Sequence, residues 1–184
     1  MLSFECVETM PDPNIGDLRI LILDDDADYR ARIRDDLVDL GIADVAVADD
    51  PLAALDAMRA RTVDVLVTER YLSFVRFLRT SHKRPSSHVP ILMVSFRSRQ
   101  DDIHEARDAG VDDFLAKPVD AHQLLDRIMA AVGRNLPFVE SEAYVGPDRR
   151  REETNFEGLP DSDPVDDPDT RLTEAEIAVL LERD

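Results

Sequence analysis

The sequence has few cysteines and few basic residues, and both shortages exclude classes of function. Its 184 residues include one cysteine, Cys6, and 22 basic residues against 40 acidic ones. A single cysteine excludes an internal disulfide and is typical of a reducing compartment. The formal charge of −18 repels phosphate backbones and anionic lipids, so we expect neither nucleic acid nor a membrane surface as a partner.

Targeting and catalytic motifs are also missing. No run approaches the roughly 20 apolar residues that span a bilayer, and residues 1–17 do not resemble a signal peptide, so we expect a soluble cytoplasmic protein. The sequence has no glycine-rich phosphate loop and no serine-nucleophile elbow. Its four histidines share no ligand spacing, which gives no indication of a transition-metal site: His82, His88, His104 and His122.

The acidic excess is concentrated near the C-terminus. Residues 134–184 hold 15 acids and 6 bases, and residues 158–169 contain three prolines and five aspartates. Such a segment buries too little apolar surface to offset its ordering entropy, which predicts a flexible linker. We divide the chain into an N-terminal arm (1–17), one domain (18–133), an acidic linker with a basic island (134–171) and a short amphipathic helix (172–184).

Residues 18–133 alternate between short aliphatic runs and helical spacings. The runs predict five buried strands, at 19–23, 44–48, 64–68, 91–95 and 113–116. Between them, apolar residues recur every three or four positions, as in the series Tyr29, Ile33, Leu37 and Leu40. This alternation predicts an α/β protein with a doubly wound parallel sheet and helices on both faces.

Polar residues follow four of the predicted strands. Asp24, Asp25 and Asp26 end the first strand, Glu69 ends the third, Ser95 the fourth and Lys117 the fifth. Because ligands bind at the carboxyl ends of such strands, we expect these side chains to share one crevice. Paired carboxylates suit Mg²⁺, and a lysine with a hydroxyl suits phosphoryl oxygens.

From Leu18 to Val132 the chain resembles the receiver domain of two-component response regulators. The resemblance rests on four segments: ILILDDD (20–26) with Arg30, DVLVTE (64–69), VPILMVS (89–95) and AGVDDFLAKP (109–118). It implies a five-stranded, flavodoxin-like sheet of order 2-1-3-4-5. It also implies the roles of five positions: Asp24 and Asp25 bind Mg²⁺, Ser95 and Lys117 contact the phosphoryl group, and Phe114 reports the switch.

The residue at the phosphoacceptor position departs from this family. The family has an aspartate where this chain has Glu69, and Asp64 opens the same strand at its wrong end. Glutamate is longer by one methylene, about 1.5 Å, so an acyl phosphate on it would overshoot its contacts. Its permanent carboxylate, reaching toward Lys117, would instead imitate part of a phosphorylated site. We therefore expect phosphotransfer to be lost.

Two more departures lie beside Glu69. The following loop lacks the proline and glycine usual in the family, which puts in doubt the backbone carbonyl, near Tyr71, that would help to bind Mg²⁺. We expect no cofactor for this reason, and we expect Arg70 to pair with Asp24 or Asp25 in place of the cation. The third departure is Phe96 after Ser95, whose ring would crowd the phosphoryl pocket.

Each of these assignments has a simpler alternative. Asp24 and Asp25 could belong to a solvated acidic turn, with Asp26 or Asp28 capping the next helix. Glu69 and Lys117 could be ordinary surface residues, and Phe114 simply a core residue.

The acidic tail has two features of its own. Arg149, Arg150 and Arg151 form a basic island that is either a solvated turn or a clamp on an acidic partner, on the receiver's own crevice or on a phosphorylated nucleotide. Thr173 and Glu176 form a capping box for a helix that is too short to be stable alone, so we expect it to dock.

Three functional hypotheses follow. The first is a non-enzymatic pseudo-receiver that signals through protein contacts with a histidine kinase or another signalling protein, or as a homodimer. The second is a conventional phosphorelay receiver with an unusual acceptor. The third is a cyclic-dinucleotide effector that uses the three arginines.

Overall fold

The computed structural model describes residues 14–81, 87–133, 138–140 and 145–147. Five strands alternate with five helices, and a two-stranded ribbon follows. In chain order the elements are β1 (Arg19–Leu23), α1 (Ala27–Asp39), β2 (Asp44–Ala48), α2 (Pro51–Ala60), β3 (Val65–Thr68), α3 (Leu72–Thr80), β4 (Ile91–Ser95), α4 (Gln100–Ala109), β5 (Asp113–Ala116), α5 (Ala121–Gly133), β6 (Phe138–Glu140) and β7 (Val145–Pro147).

The five-stranded sheet is parallel and has the order β2-β1-β3-β4-β5. This confirms the predicted fold class and strand order. The register pairs Leu23 with Thr68 and Ser95 with Ala116, so the carboxyl ends of the inner strands lie along one edge. Polar residues that follow these strands are therefore brought close together.

Two apolar layers hold helices against the sheet. Side chains of β1 alternate between them: Leu21 and Leu23 pack with residues of α2, α3 and α4, whereas Ile20 and Ile22 pack with residues of α1 and α5. All four of these side chains are almost completely buried. Alternation along one central strand thus places helices on both faces, as predicted.

Local signals set the helix ends. The carboxylate of Asp26 accepts a hydrogen bond of 3.0 Å from the Tyr29 N–H and caps α1, which is one of the two caps predicted. Asp50 caps α2 in the same way, with Pro51 in its first turn. Gly110 ends α4 at a φ of 98°, in the left-handed region that glycine tolerates best.

Two strand predictions need correction. The second strand was expected to be buried, but β2 lies at the sheet edge and Val47 is 44% exposed. The aliphatic run alone does not distinguish an edge strand from an inner one. The order 2-1-3-4-5 that the resemblance implied does place strand 2 at the edge, in agreement with the structure. The third strand begins at Val65 rather than Asp64. The Asp64 carboxylate instead forms a bidentate salt bridge with the Arg19 guanidinium, with hydrogen bonds of 2.8 and 2.9 Å.

The predicted linker contains ordered structure. Within 134–171, β6 and β7 form an antiparallel ribbon, and β7 lies against α3. Three-residue strands carry too little periodicity to be recognised in sequence. In the arm, residues 15–17 form a single 3₁₀ turn, and Ile15 packs on the α1/α5 layer. The rest of the arm and linker, Arg149 to Arg151 and the predicted helix at 172–184 lie outside the described residues.

In the part of the chain described here, none of the helices has the length and apolar character that a membrane span requires.

Candidate functional site

The predicted site residues meet at the carboxyl edge of the sheet. Backbone hydrogen bonds fix their starting points: the Glu69 N–H donates to the Leu23 carbonyl at 2.9 Å, and the Lys117 N–H donates to the Ser95 carbonyl at 2.8 Å. Each side chain therefore begins where its strand ends. Asp24, Glu69, Ser95 and Lys117 come together in one buried cluster.

Lys117 is the centre of this cluster. Its ammonium donates to Asp24 Oδ2 at 2.6 Å and lies 2.7 Å from Glu69 Oε2. The side chains of Lys117 and Asp24 are each only 3% exposed, and that of Glu69 is 14% exposed. The Lys117 ammonium and the Glu69 carboxylate therefore form a close, largely buried ion pair. One cation thus bridges the ends of β1 and β3.

The ionisation of the cluster follows from burial and charge. Burial raises the pKa of Glu69, and the Lys117 ammonium and the Ser95 hydroxyl offset this only in part. Burial alone would lower the pKa of Lys117, but the carboxylates of Glu69 and Asp24 raise it above its usual value. Lys117 is therefore firmly cationic at neutral pH, whereas Glu69 is ionised at a cost.

Two aromatic rings lie beside the same ammonium. The Lys117 Nζ atom is 4.0 Å from the centroid of the Tyr29 ring and 5.2 Å from that of Phe96. The Phe96 side chain is 56% exposed, so the ring lies at the mouth of the cluster rather than inside it. The expectation that Phe96 crowds the phosphoryl pocket stays a prediction; the structure shows its ring near Lys117 and mostly exposed.

The residues expected to bind Mg²⁺ do not fit that ion as they are arranged. Asp24 Oδ1 accepts from the Asp26 N–H at 2.9 Å, and Oδ2 is taken by Lys117. The Tyr71 carbonyl accepts from the Val75 N–H at 3.0 Å in the first turn of α3, and Asp25 is exposed. Among the described residues, no three His, Cys, Asp or Glu side chains are placed to hold a metal ion.

The prediction for Arg70 is wrong. Its guanidinium turns away from Asp24 and Asp25 and pairs with Asp102, at 3.2 Å, and with Glu105. Both acids lie on α4, one helical turn apart. Lys117 already neutralises the charge of Asp24, so an ion pair between Arg70 and Asp24 would add little stability. The nearby face of α4 presents two carboxylates with which Arg70 pairs instead.

The remaining predicted residues divide into three groups. Ser95 is buried and lies beside Glu69, with its hydroxyl accepting from the Arg97 N–H at 3.1 Å. Phe114 is 8% exposed and packs in the α2/α3/α4 layer, the placement of a core residue. Arg149, Arg150 and Arg151 lie outside the described residues.

Two contributors to the site, Tyr29 and Arg30, had no predicted role in it. Tyr29 was assigned only to the apolar stripe of α1, yet its ring faces Lys117. Arg30 donates from its guanidinium to the Asp24 carbonyl. Their position in the sequence could have indicated this role, because both residues lie in the first turn of the helix that follows Asp24 to Asp26.

Comparison with known proteins decides the family. Residues 20–129, more than half of the chain, match the family model described as the response regulator receiver domain. The chain belongs to this family. The receiver is 34% identical over 117 residues to the chemotaxis protein CheY of Pseudomonas aeruginosa, which covers 60% of this chain and 93% of that protein. It is 31% identical over 128 residues to the response regulator MprA of Mycobacterium avium, covering 68% of this chain and 56% of MprA.

Solved structures agree on the fold of this receiver. Vibrio cholerae CheY4 superimposes with a TM-score of 0.57 at 23% identity, covering 62% of this chain and 98% of that one. The receiver domain of Francisella response regulator 1452 gives a TM-score of 0.57 at 25% identity, covering 63% and 97%. In each case nearly the whole solved chain matches.

Proposed function

We propose that this receiver is an atypical one, which acts in two-component signalling through protein contacts and is not phosphorylated at the usual position. The observation that supports this most strongly is the Lys117 ammonium held between Asp24 and Glu69, at 2.6 and 2.7 Å. The charge that would meet a phosphoryl group is already neutralised by the protein's own carboxylates. The module therefore has one state at this site instead of two.

The length of Glu69 supports the same proposal. Its carboxylate already reaches Lys117, so a phosphoryl group added to it would extend further by the length of the group itself. Phosphoryl transfer depends mainly on positioning, and a misplacement of about 1 Å can cost about 100-fold in rate. Glu69 leaves no room for that placement unless Lys117 moves, and moving it would leave Asp24 buried without its partner.

The hydrogen bonds of Asp24 and of the Tyr71 carbonyl are a second obstacle to phosphorylation. A receiver that accepts phosphate needs a cation to screen the incoming charge, and here Asp24 and the Tyr71 carbonyl are both engaged within the protein. We therefore propose that the module works without Mg²⁺, in the cytoplasm. Its partner would be a histidine kinase, another signalling protein or a second copy of the chain.

One alternative retains support from the site. Ser95 and Lys117 both contact Glu69, which is the arrangement that a phosphorelay receiver with a glutamate acceptor would use. The two candidates make opposite predictions about covalent modification of one residue.

Intact-protein mass spectrometry after incubation with acetyl phosphate and Mg²⁺ separates them. We expect no phosphoryl adduct on the wild-type protein, and none on Glu69→Asp, because the engaged Tyr71 carbonyl and the Lys117–Asp24 pair remain. Glu69→Gln serves as the control that cannot form an acyl phosphate. A wild-type adduct that disappears in Glu69→Gln would establish the relay and refute the atypical receiver. An adduct on Glu69→Asp alone would show that the longer side chain is the only obstacle.

A further inference from the structure

Tyr29 has no part in the function proposed so far, yet its ring makes a close contact in the site. The Lys117 Nζ atom lies 4.0 Å from the ring centroid, well inside the range of about 6 Å in which an ammonium is attracted to an aromatic face. Tyr29 is 7% exposed, so the contact is shielded from water. Shielding strengthens such a contact, because water no longer competes for the ammonium.

The hydroxyl of Tyr29 does not explain why an aromatic residue stands at this position. The oxygen is buried and has no hydrogen-bond partner among the residues that the structure describes. A buried hydroxyl without a partner costs stability rather than adding to it. What remains useful is the ring, which provides apolar surface for the α1/α5 layer and contacts for two cations. Lys117 Nζ lies 4.0 Å from its centroid, and the more exposed Arg32 guanidinium lies 5.3 Å from it.

Phe96 places a second ring near the same ammonium from a different element. Its centroid is 5.2 Å from Nζ, and Phe96 is one of the few large apolar side chains in the described residues that remain exposed. Three groups of contacts thus surround the ammonium: two carboxylates, the Tyr29 ring from α1 and the Phe96 ring from the segment after β4. An ammonium has three N–H donors, and two carboxylates do not enclose it alone.

We propose that Tyr29 and Phe96 are positioning residues that enclose the Lys117 ammonium with their rings and hold it between Asp24 and Glu69. This inference rests on the proposed function, since a site with one state requires a lysine that does not swing out. A cation–aromatic contact of this kind changes the equilibrium for release of the ammonium by about 2- to 30-fold. The rings thereby keep the cluster closed.

The reactivity of Lys117 with an amine-acylating reagent measures this enclosure. The chain has only two lysines, Lys83 and Lys117, so peptide mass spectrometry follows each separately, with Lys83 as the internal reference. We expect Tyr29→Leu to raise the rate at Lys117 relative to Lys83 by about 2- to 30-fold. Tyr29→Phe keeps the ring and should leave the ratio at the wild-type value.

A spectroscopic measurement on the same variants distinguishes ring contact from general loosening. In protein labelled only at lysine, the Lys117 methylene beside Nζ should show an upfield ring-current shift that persists in Tyr29→Phe and is lost in Tyr29→Leu. Phe96→Leu changes an exposed side chain, so this variant should fold normally. It should also raise the reactivity of Lys117. If Tyr29→Leu does not fold, the result for Phe96→Leu decides whether the rings enclose the ammonium.

An unchanged Lys117-to-Lys83 ratio in both leucine variants would overturn the proposal, and so would equal effects of Tyr29→Phe and Tyr29→Leu. No phosphoryl donor is used here. Phosphorylation of Glu69 in the separate mass experiment would refute the proposed function without altering these rates.

Discussion

Glu69 and Lys117 form one ion pair, yet the folded protein favours the charged form of only one of them. Lys117 faces two carboxylates, and their combined charge outweighs the cost of its burial, so its pKa is raised. Glu69 faces one ammonium that it shares with Asp24, and burial outweighs that attraction, so its pKa is raised as well. The charged form is therefore favoured for the lysine and disfavoured for the glutamate.

This asymmetry predicts how Glu69 affects stability as pH changes. A carboxyl whose pKa is raised by folding stabilises the native state below its unfolded value, 4.5, and that contribution is lost as pH rises through the folded value. The free energy of unfolding of Glu69→Gln relative to wild type should therefore increase from pH 4 to pH 7. Urea unfolding at a series of pH values measures this difference, and the contributions of carboxyls that do not contact the Glu69–Lys117 pair cancel.

A matched control is Asp126→Asn, which removes one carboxylate from an exposed position on α5. Its difference from wild type gives the effect of one surface charge on a protein of charge −18. If the Glu69→Gln difference moved the opposite way with pH, Glu69 would have a lowered pKa, and Lys117 would outweigh its burial.

At the residue scale, the sequence predicted the backbone positions of the site residues better than the partners that their side chains contact. Asp24, Glu69, Ser95 and Lys117 were found because each follows a strand, and parallel strands share an edge. Arg70 was assigned to the wrong partner because a long side chain can reach several elements, and its choice depends on where α4 lies. Tyr29 was read only as a core residue, since a pattern of apolar spacing does not show which ring faces a cation.

At the scale of elements, Arg70 connects the β3–α3 segment to α4. Its guanidinium contacts Asp102 in the first turn of α4 and Glu105 one turn later, and its side chain is 16% exposed. Because Glu69 is tied to Lys117 on one side, this short segment is fixed at both ends by charge. A direct contact thus links α4 to the residue that follows Glu69.

Replacing Arg70 by glutamine should loosen α4. Pairs at the surface contribute up to about 1 kcal/mol and buried ones several, so we expect a loss of about 1–2 kcal/mol for this half-buried pair. Hydrogen exchange should become faster in residues 100–109 and unchanged in β1. Arg76→Gln, at an exposed position on α3, is the control for removing an arginine. Equal exchange of α4 in both variants would mean that apolar packing alone holds the helix.

The elements themselves were largely predictable, and the exceptions have physical reasons. Strands β1, β2, β4 and β5 have the predicted bounds, because aliphatic runs of this kind fit a sheet covered on both faces. The ribbon β6–β7 was missed because its strands are too short to show a period. Arg79 was assigned no role, yet it is buried and donates to the carbonyls of Gly110, Ser87 and Val89. These contacts exist only once the α3–β4 and α4–β5 loops have come together.

At the scale of the whole molecule, the receiver fold is complete and its site is closed by its own side chains. The sheet delivers Asp24, Glu69 and Lys117 to one edge, as the alternation of strands and helices predicts. In the proposed function, the number of states at the site depends on a single methylene at position 69 and on the segment that follows, whereas the fold is that of the family. This explains why fold and family could be predicted together while the mode of action remains a proposal.

The backbone amide NMR spectrum, recorded with and without beryllofluoride and Mg²⁺, shows most directly whether the site around Glu69 has one state or two. Beryllofluoride mimics a phosphoryl group on a carboxylate without needing a chemical step, so slow transfer cannot hide a working site. A site with one state predicts unchanged signals for Ser95, Lys117 and α4, whereas a receiver with an aspartate acceptor responds under the same conditions. Saturable shifts at these positions that disappear in Glu69→Gln would contradict it.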